Sequence, residues 1–195
     1  MDSANNIKAY IENNIIKGNT ALRREDSLPF PTYTKHFKKN EIITFYGQIE
    51  RKAYLSINGI IESTIEKDGE TKIIDFVFPN HFICSYTSFL LQTSSEIQTK
   101  AITDCDVEYF LKEDLEKAYQ TSIVANQFGR FVTEQFFITK LQRENDFLTR
   151  SAKEVYLKLI EERPEILAKI PINKIAKYLG IHPESLSRIR AEIIS

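Results

Sequence analysis

The chain has 195 residues, of which 42% are hydrophobic and 27% charged, with 26 basic and 27 acidic side chains. This composition excludes a disordered polypeptide and suits a main domain with a small appended one. No apolar run approaches the roughly 20 residues that a bilayer span needs, and residues 1–6 carry no basic region, so we expect a cytoplasmic protein with no membrane partner.

The first segment is predicted to be a short helix followed by a connector. Apolar residues recur at helical spacing within residues 3–17, and Gly18 follows as a plausible terminator. Residues 26–34 contain two prolines, which is typical of a connecting segment.

Short β-branched and aromatic runs between residues 41 and 110 predict strands. The candidate strands are 42–45, 52–57, 60–66, 71–78, 97–102 and 106–110. Asn58-Gly59 and Asp68-Gly69 each lie between two such runs, and these pairs accept the positive φ angles of tight hairpins. We therefore predict a small antiparallel β-roll, or jelly roll, over residues 1–111 together with the leading helix.

From Lys112 the hydrophobic period changes to 3.6, which predicts one long helix over residues 112–149. Such a helix is too long to bury its apolar stripe on one small barrel, so we expect the stripe also to form a two-fold dimer seam. Packing within one subunit is the alternative. The predicted seam consists of Val124, Phe128, Phe131, Gln135 and Ile138.

Residues 150–195 are predicted to form a separate helical domain. Ser151 and Glu154 have the spacing of a capping box, and Pro164 and Pro171 interrupt the helical pattern that follows. The segment carries nine basic and six acidic residues, whereas the rest of the chain is net acidic. This mild basic excess suits a phosphate-containing partner.

A helix-turn-helix is predicted over residues 172–193. The apolar pattern of residues 172–179 ends at Gly180, and Pro183 can occupy the first turn of a second helix that places Leu186, Ile189 and Ile193 on one face. Its exposed face is expected to carry groups able to meet bases and phosphates, namely Glu184, Ser185, Ser187, Arg188 and Arg190. An amphipathic helical hairpin with solvated charges is the alternative that the pattern alone leaves open.

The run IAKYLGIHPESLSRI, residues 175–189, closely resembles the DNA-reading segment of the Crp/Fnr regulators. That family joins a β-roll of the cyclic-nucleotide type, a long dimerisation helix and a winged helix-turn-helix in this order. The resemblance implies an α+β fold and a homodimeric transcription regulator that binds double-stranded DNA. Because the sequence stops at Ser195, we expect the helix-turn-helix to lack a full wing.

In this resemblance the recognition helix corresponds to residues 183–193. The family's base-reading arginine, glutamate and later arginine fall on Pro183, Glu184 and Arg188. Glu184 can accept from a cytosine amino group and Arg188 can make a bidentate contact with guanine, whereas Pro183 has no donor to offer. Phosphate and other DNA contacts are further expected from Lys174, Lys177, His182 and Arg190.

The cyclic-AMP-binding residues of that family are missing here. A glycine–glutamate pair and an arginine–serine–alanine run correspond to Cys84-Ser85 and Ser95-Glu96-Ile97. A buried cyclic phosphate needs a charge-assisted donor and Glu96 would repel it, so we expect no cyclic AMP bound in the family mode. The nearby Lys100 alternates with apolar positions and is expected to point to solvent. Whether another effector exists is left open.

Other functional classes have little support. We find no glycine-rich phosphate loop, metal-ligand cluster or nucleophile elbow, and therefore predict no catalytic residues, no metal and no cofactor. Cys84 and Cys105 are expected to be buried, reduced thiols. One alternative remains, an effector-binding or scaffold protein whose degenerate helix-turn-helix no longer binds DNA, which Pro183 and the mild charge make conceivable.

Overall fold

A computed structural model describes residues 6–17, 22 and 28–194 of the chain. The helices are α1 (Asn6–Ile11), α2 (Tyr86–Leu91), α3 (Lys112–Thr121), α4 (Ile123–Thr149), α5 (Ala152–Glu162), α6 (Ile166–Lys169), α7 (Ile172–Leu179) and α8 (Pro183–Ile194), with a π-helical turn (Glu12–Ile16) after α1. The strands are β1 (Tyr33–Phe37), β2 (Ile42–Thr44), β3 (Lys52–Ser56), β4 (Ile61–Lys67), β5 (Glu70–Val77), β6 (Phe82–Ile83), β7 (Ile97–Ala101) and β8 (Cys105–Leu111). Two compact units result, one holding residues up to Ser63 with Phe76–Gln135, the other Thr64–Asp75 with the residues from Phe136 onward.

The strands form the predicted β-roll. One sheet has the order β1-β8-β3-β6 and the other β2-β7-β4-β5. β8 pairs antiparallel with both β1 and β3, and β2 pairs antiparallel with β7. Because side chains alternate across a strand, Cys105 and Val107 of β8 pack with Phe37, Tyr54 and Ile61 in the core of the roll.

The two predicted hairpins have different outcomes. Asp68 and Gly69 both have positive φ angles and join β4 directly to β5, as predicted. The expectation for Asn58-Gly59 was wrong, because β3 and β4 lie in different sheets and this segment crosses between them. The crossing is fastened by Asn58, whose amide and carbonyl groups both bond to Asp106. Gly59 is required there because a Cβ would lie 2.9 Å from the Cα of Cys105.

A second apolar cluster covers the opposite face of the β1-β8-β3-β6 sheet. Phe110 of β8 packs there with Phe30 and with buried residues of α1, α3 and the start of α4. Glu108 is buried on the same face, and its Oε2 accepts hydrogen bonds from the backbone N–H groups of Asn6 and Ile7, at 2.7 and 3.2 Å. A carboxylate of the sheet thereby caps the first turn of α1. The predicted terminator Gly18 lies outside the described residues.

The single helix expected over residues 112–149 is interrupted at Ser122, which corrects that prediction. Ser122 has extended backbone angles, with φ −119° and ψ 120°. Its N–H donates to the carbonyl of Ala118 at 2.8 Å, and its Oγ accepts from the N–H of Ala125 at 3.1 Å. One serine therefore ends α3 and caps the start of α4. The apolar period continues across the break, which is why the sequence pattern conceals it.

The helices after α4 begin and end close to the predicted signals. The Ser151 hydroxyl accepts from the N–H of Glu154, and Glu154 accepts from the N–H of Ser151, so the capping box is confirmed. α5 ends before Pro164, and Pro171 precedes the first turn of α7. Within the described residues no helix combines the length and apolarity needed to cross a membrane.

Candidate DNA-reading surface and effector pocket

α7 and α8 form a helix-turn-helix whose turn is closed by Gly180. This residue has φ 70°, which glycine adopts without steric cost. The N–H of Gly180 bonds to the carbonyl of Lys177, and the N–H of Ile181 bonds to that of Ala176, which is the Schellman pattern of a helix end. α8 starts at Pro183 after only three intervening residues. The tight turn thus sets the direction of the second helix.

α8 has one buried side and one exposed side. Leu186 is completely buried, as are Ala176 and most of Leu179 on α7. Glu184 and Arg188 are exposed and lie one turn apart on the opposite side of α8. A carboxylate acceptor and a guanidinium donor are therefore presented next to each other, away from the packed face.

The other predicted DNA-contacting residues differ in accessibility. Exposed side chains are found at Lys177, His182, Pro183, Ser185 and Ser187. Lys174 and Arg190 are only partly exposed. Arg190 follows Leu186 by one turn, so it lies at the flank of the buried side rather than at the centre of the exposed face, which corrects its expected placement. The Ser187 hydroxyl donates to the carbonyl of Pro183 at 3.0 Å.

An ion pair that the sequence did not predict connects the start of α5 to the end of α8. Nζ of Lys153, in the first turn of α5, lies 2.7 Å from Oε2 of Glu192 in the last turns of α8. The Lys153 ammonium holds the pKa of Glu192 below its ordinary value through a hydrogen bond and its charge. The partners are 39 positions apart in the sequence, which explains why no local pattern predicts the pair.

The positions that correspond to cyclic-nucleotide-binding residues come together, but they bind one another. Ser85 and Ser95 are both buried, and the Ser95 Oγ lies 2.6 Å from the Ser85 Oγ. The Ser95 hydroxyl is also 2.6 Å from the carbonyl of Ile97 and accepts from the Ile97 N–H. Glu96 is exposed. A neutral, hydrogen-bonded pair of hydroxyls thus occupies the positions that the sequence resemblance assigned to ligand contacts.

A buried carboxylate, that of Glu50, was not predicted. Glu50 is fully buried and accepts from the Thr44 hydroxyl and from the backbone N–H groups of Arg51 and Lys52. Its own N–H donates to Ser88 of α2, 2.9 Å away. Glu50 precedes two basic residues, a pattern typical of a solvated charge run, so the sequence offers no signal for its burial.

Cys84 lies in the same neighbourhood. Burial raises the pKa of its thiol strongly, and the negative charge of Glu50 raises it further. Cys84 is partly buried, and both it and the buried Cys105 are free cysteines, as expected. Both thiols are consequently held in the protonated form, because burial also raises the pKa of Cys105.

Lys100 does not simply point to solvent, which corrects that expectation. Its Nζ lies 3.5 Å from Oε1 of Glu62, whose side chain is 3% exposed, and Lys100 itself is 31% exposed. The ammonium therefore balances a buried carboxylate. This engagement leaves Lys100 a poor candidate for binding an anionic effector.

The residues predicted for a dimer seam fall into two groups. Val124 and Phe128 have 2% and 1% of their surface exposed and belong to the subunit's own core, so they have almost no surface left for a partner. Phe131 is partly buried against Tyr10, whereas Gln135 and Ile138 are exposed. Further exposed apolar side chains continue toward the end of α4, at Phe137, Leu141, Phe147 and Leu148.

His36 and His81 each make a hydrogen bond to a nearby oxygen. His36 Nδ1 lies 2.7 Å from Oδ1 of Asp106, and His81 Nδ1 lies 3.0 Å from the carbonyl of Pro79. In the part of the chain that the structure describes, no three or more His, Cys, Asp or Glu side chains are grouped to hold a metal ion.

Comparisons with known proteins agree with this architecture. Residues 34–122 match the family model described as the cyclic nucleotide-binding domain. No curated protein matches the chain. Among solved structures, FixK2 from Bradyrhizobium japonicum is 19% identical with a TM-score of 0.72, the alignment covering 84% of each chain. A protein assigned to the Crp/Fnr family of transcriptional regulators, from Eubacterium rectale, is 20% identical with a TM-score of 0.66, covering 87% of this chain and 82% of that one.

A third similar structure is the c-di-GMP-responsive global regulator CLP of Xanthomonas campestris, at 14% identity and a TM-score of 0.62, covering 83% of this chain and 86% of that one. At these identities the likeness concerns the fold. Residues 34–122 are thus similar to a cyclic nucleotide-binding domain, and the chain has an α+β fold similar to that of FixK2 and of the Crp/Fnr-family protein.

Proposed function

We propose that this protein is a homodimeric, sequence-specific DNA-binding transcription regulator of the Crp/Fnr type, acting in the cytoplasm and without enzymatic activity. The observation that carries the proposal is the paired exposure of Glu184 and Arg188 opposite the buried Leu186 on α8. Helices of this kind enter the major groove and read base edges with side chains of their first turns. We assign the β-roll to residues 1–111, the helical connection to 112–149 and the reading domain to 150–195.

Glu184 and Arg188 are the proposed base-reading residues. The Arg188 guanidinium offers two parallel donors to the O6 and N7 atoms of guanine, and Glu184 accepts from the amino group of cytosine. Pro183 offers no donor, so the preferred site differs from that of relatives with an arginine there. Lys174, Lys177, His182, Ser185, Ser187 and Arg190 are proposed to contact mainly phosphates.

The proposed dimer uses the exposed part of α4. Ile138, Leu141 and Leu148 are spaced by three and seven residues and share one side of the helix. Each is exposed by 42% or more, which leaves an apolar strip that a second copy would cover. Two such helices would hold two reading domains for the half-sites of one operator.

Cyclic AMP is not the proposed effector. Ser85 and Ser95 satisfy each other, the nearby Lys100 is paired with Glu62, and the buried Glu50 adds negative charge near Cys84. A cyclic phosphate placed there would lose its hydration without gaining a charge-assisted donor. No cofactor is proposed, and the identity of any effector is not assigned.

The decisive experiment selects the preferred site from a random DNA pool and compares two variants on that site and on scrambled DNA across a salt series. Arg188→Ala should close the gap between site and scramble, because loss of a bidentate base contact costs about 1–3 kcal/mol of discrimination. Lys177→Ala serves as the matched control: it should weaken both DNAs alike and flatten the salt slope by about one.

Two results would contradict the proposal. Equal weakening of both DNAs by Arg188→Ala would mean that α8 is not the reading helix. Absence of any salt-dependent DNA retention in the parent protein would instead support an effector-binding or scaffold protein whose helix-turn-helix no longer binds DNA.

A further inference from the structure

One face of α4 carries Lys140, Arg143 and Phe147, and these three side chains make two contacts with other elements. Their spacing of three and four residues places them in a line on the helix surface. We call these three residues the clamp face. The clamp face differs from the exposed strip of Ile138, Leu141 and Leu148, which lies on the other side of the same helix.

The first contact joins the clamp face to the β4–β5 hairpin. Nζ of Lys140 lies 3.1 Å from Oδ2 of Asp75 in β5, and the same ammonium lies 5.2 Å from the ring centroid of Phe136. The two charged side chains are 36% and 27% exposed, so water only partly screens the pair. Lys140 therefore holds one end of the hairpin strand on α4.

The second contact joins the clamp face to the helix-turn-helix. The guanidinium carbon of Arg143 lies 4.5 Å from the ring centroid of Tyr178 in α7 and 5.1 Å from that of Phe147. The Phe147 and Tyr178 rings meet edge to face at 6.0 Å. Cations over aromatic faces and edge-to-face rings are both favourable geometries. Tyr178 is thus contacted by two side chains of α4.

Charged residues from both contacts affect the pKa of the Tyr178 phenol. Burial raises the pKa of Tyr178, the Arg143 charge opposes this increase, and the negative charge of Asp75 adds to it. Tyr178 also precedes Gly180 by two residues, and Gly180 sets the direction in which α8 leaves the turn.

We propose that the clamp face couples the β4–β5 hairpin to the reading domain, so that releasing Asp75 from Lys140 loosens α7 through Arg143 and Tyr178. The hairpin is then a regulatory input separate from the Ser85–Ser95 hydroxyl pair, and its displacement alters DNA reading. Lys140 and Arg143 are about 4.5 Å apart along the axis of the same rigid helix. A displacement of the helix at Lys140 therefore also displaces Arg143. Only the consequence for DNA rests on the proposed function.

The coupling is tested by hydrogen exchange of the full chain without DNA, read at the amides of α7. Asp75→Asn removes the charge and keeps the size of the side chain. It should speed exchange in α7 by up to about fivefold, the range expected for loss of a partly screened ion pair that stabilises a local structure. Glu70→Gln is the matched control, since it neutralises an exposed acid at the other end of the same strand and should leave α7 unchanged.

A double-mutant cycle then tests whether the effect of Asp75→Asn on α7 passes through Arg143. Arg143→Gln alone should speed exchange in α7, and adding Asp75→Asn in that background should have no further effect. Additive effects, or no change in α7 with Asp75→Asn, would overturn the coupling. If Asp75→Asn fails to fold, as judged by exchange throughout β8, Lys140→Gln removes the same pair from the other side and has the same expected and contrary outcomes.

A DNA-binding measurement on the same variant distinguishes this inference from the proposed function. Asp75→Asn should weaken binding to the selected DNA site by a factor similar to that seen in α7 exchange. If α7 exchange responds but the parent protein retains no DNA, the coupling stands and the DNA-reading proposal fails.

Discussion

The exposed strip of α4 leads to a quantitative prediction about dimerisation. Ile138 and Leu141 are 45% and 42% exposed in the single chain. Complete burial of such a side chain contributes about 1.5–3 kcal/mol, so each has about 1 kcal/mol still to gain. Two residues from each of two chains then contribute about 4 kcal/mol, which corresponds to roughly a thousandfold in the dissociation constant.

Ile138→Glu and Leu141→Glu should each remove about half of this gain and also place like charges opposite each other in the seam. We expect sedimentation velocity over a concentration series to show a dimer for the parent protein and monomers for both variants at micromolar concentration. Leu167→Glu is the matched control, because Leu167 of α6 is similarly exposed, at 48%, but lies outside α4. A dimer that survives both α4 variants, or one that Leu167→Glu also dissociates, would refute the seam.

Three further predictions concern stability and ligand binding. Gly129→Ala should lower the free energy of unfolding by about 1–3 kcal/mol, because the new Cβ would overlap the Tyr119 ring, whose Cζ would lie 2.7 Å away. Thermal denaturation measures this loss. Adding Tyr119→Ala to the Gly129→Ala chain should remove much of it. Hydrogen bonds from His36 and from Asn58 lower the pKa of Asp106, so its contribution to stability is present above the unfolded pKa near 3.8 and is lost as pH falls through the folded value. Asp106→Asn should therefore reduce the acid sensitivity of the melting temperature, and an unchanged pH profile would contradict this. Calorimetry with cyclic AMP should show no binding at micromolar concentration, whereas micromolar binding would show that the Ser85 hydroxyl pair opens to a ligand.

Local physics accounts for the features that the sequence alone determined. Gly180 can adopt its positive φ because it has no Cβ, and the spacing of Ile175, Ala176 and Leu179 defines a buried side of α7 wherever the helix packs. The Asp68-Gly69 turn and the Ser151 capping box likewise depend on residues close together in the chain. These short-range rules were sufficient to predict the helix-turn-helix and most strands of the roll.

Tertiary structure decided what depends on distant partners. β1 has four exposed residues out of five, so no alternation marks it, and it is a strand because β8 pairs with it. Ser122 ends one helix and starts another within an unbroken apolar period.

The same holds for residues whose partners lie far along the chain. The buried carboxylate of Glu108 accepts from N–H groups at the start of α1, and the backbone N–H of Glu50 donates to Ser88 of α2. Val124 and Phe128 share the helical stripe of Ile138, yet the subunit's own sheet and leading helix cover only the first two. Periodicity specifies which side of a helix is apolar, whereas the arrangement of the whole chain specifies how far along the helix that side is already buried.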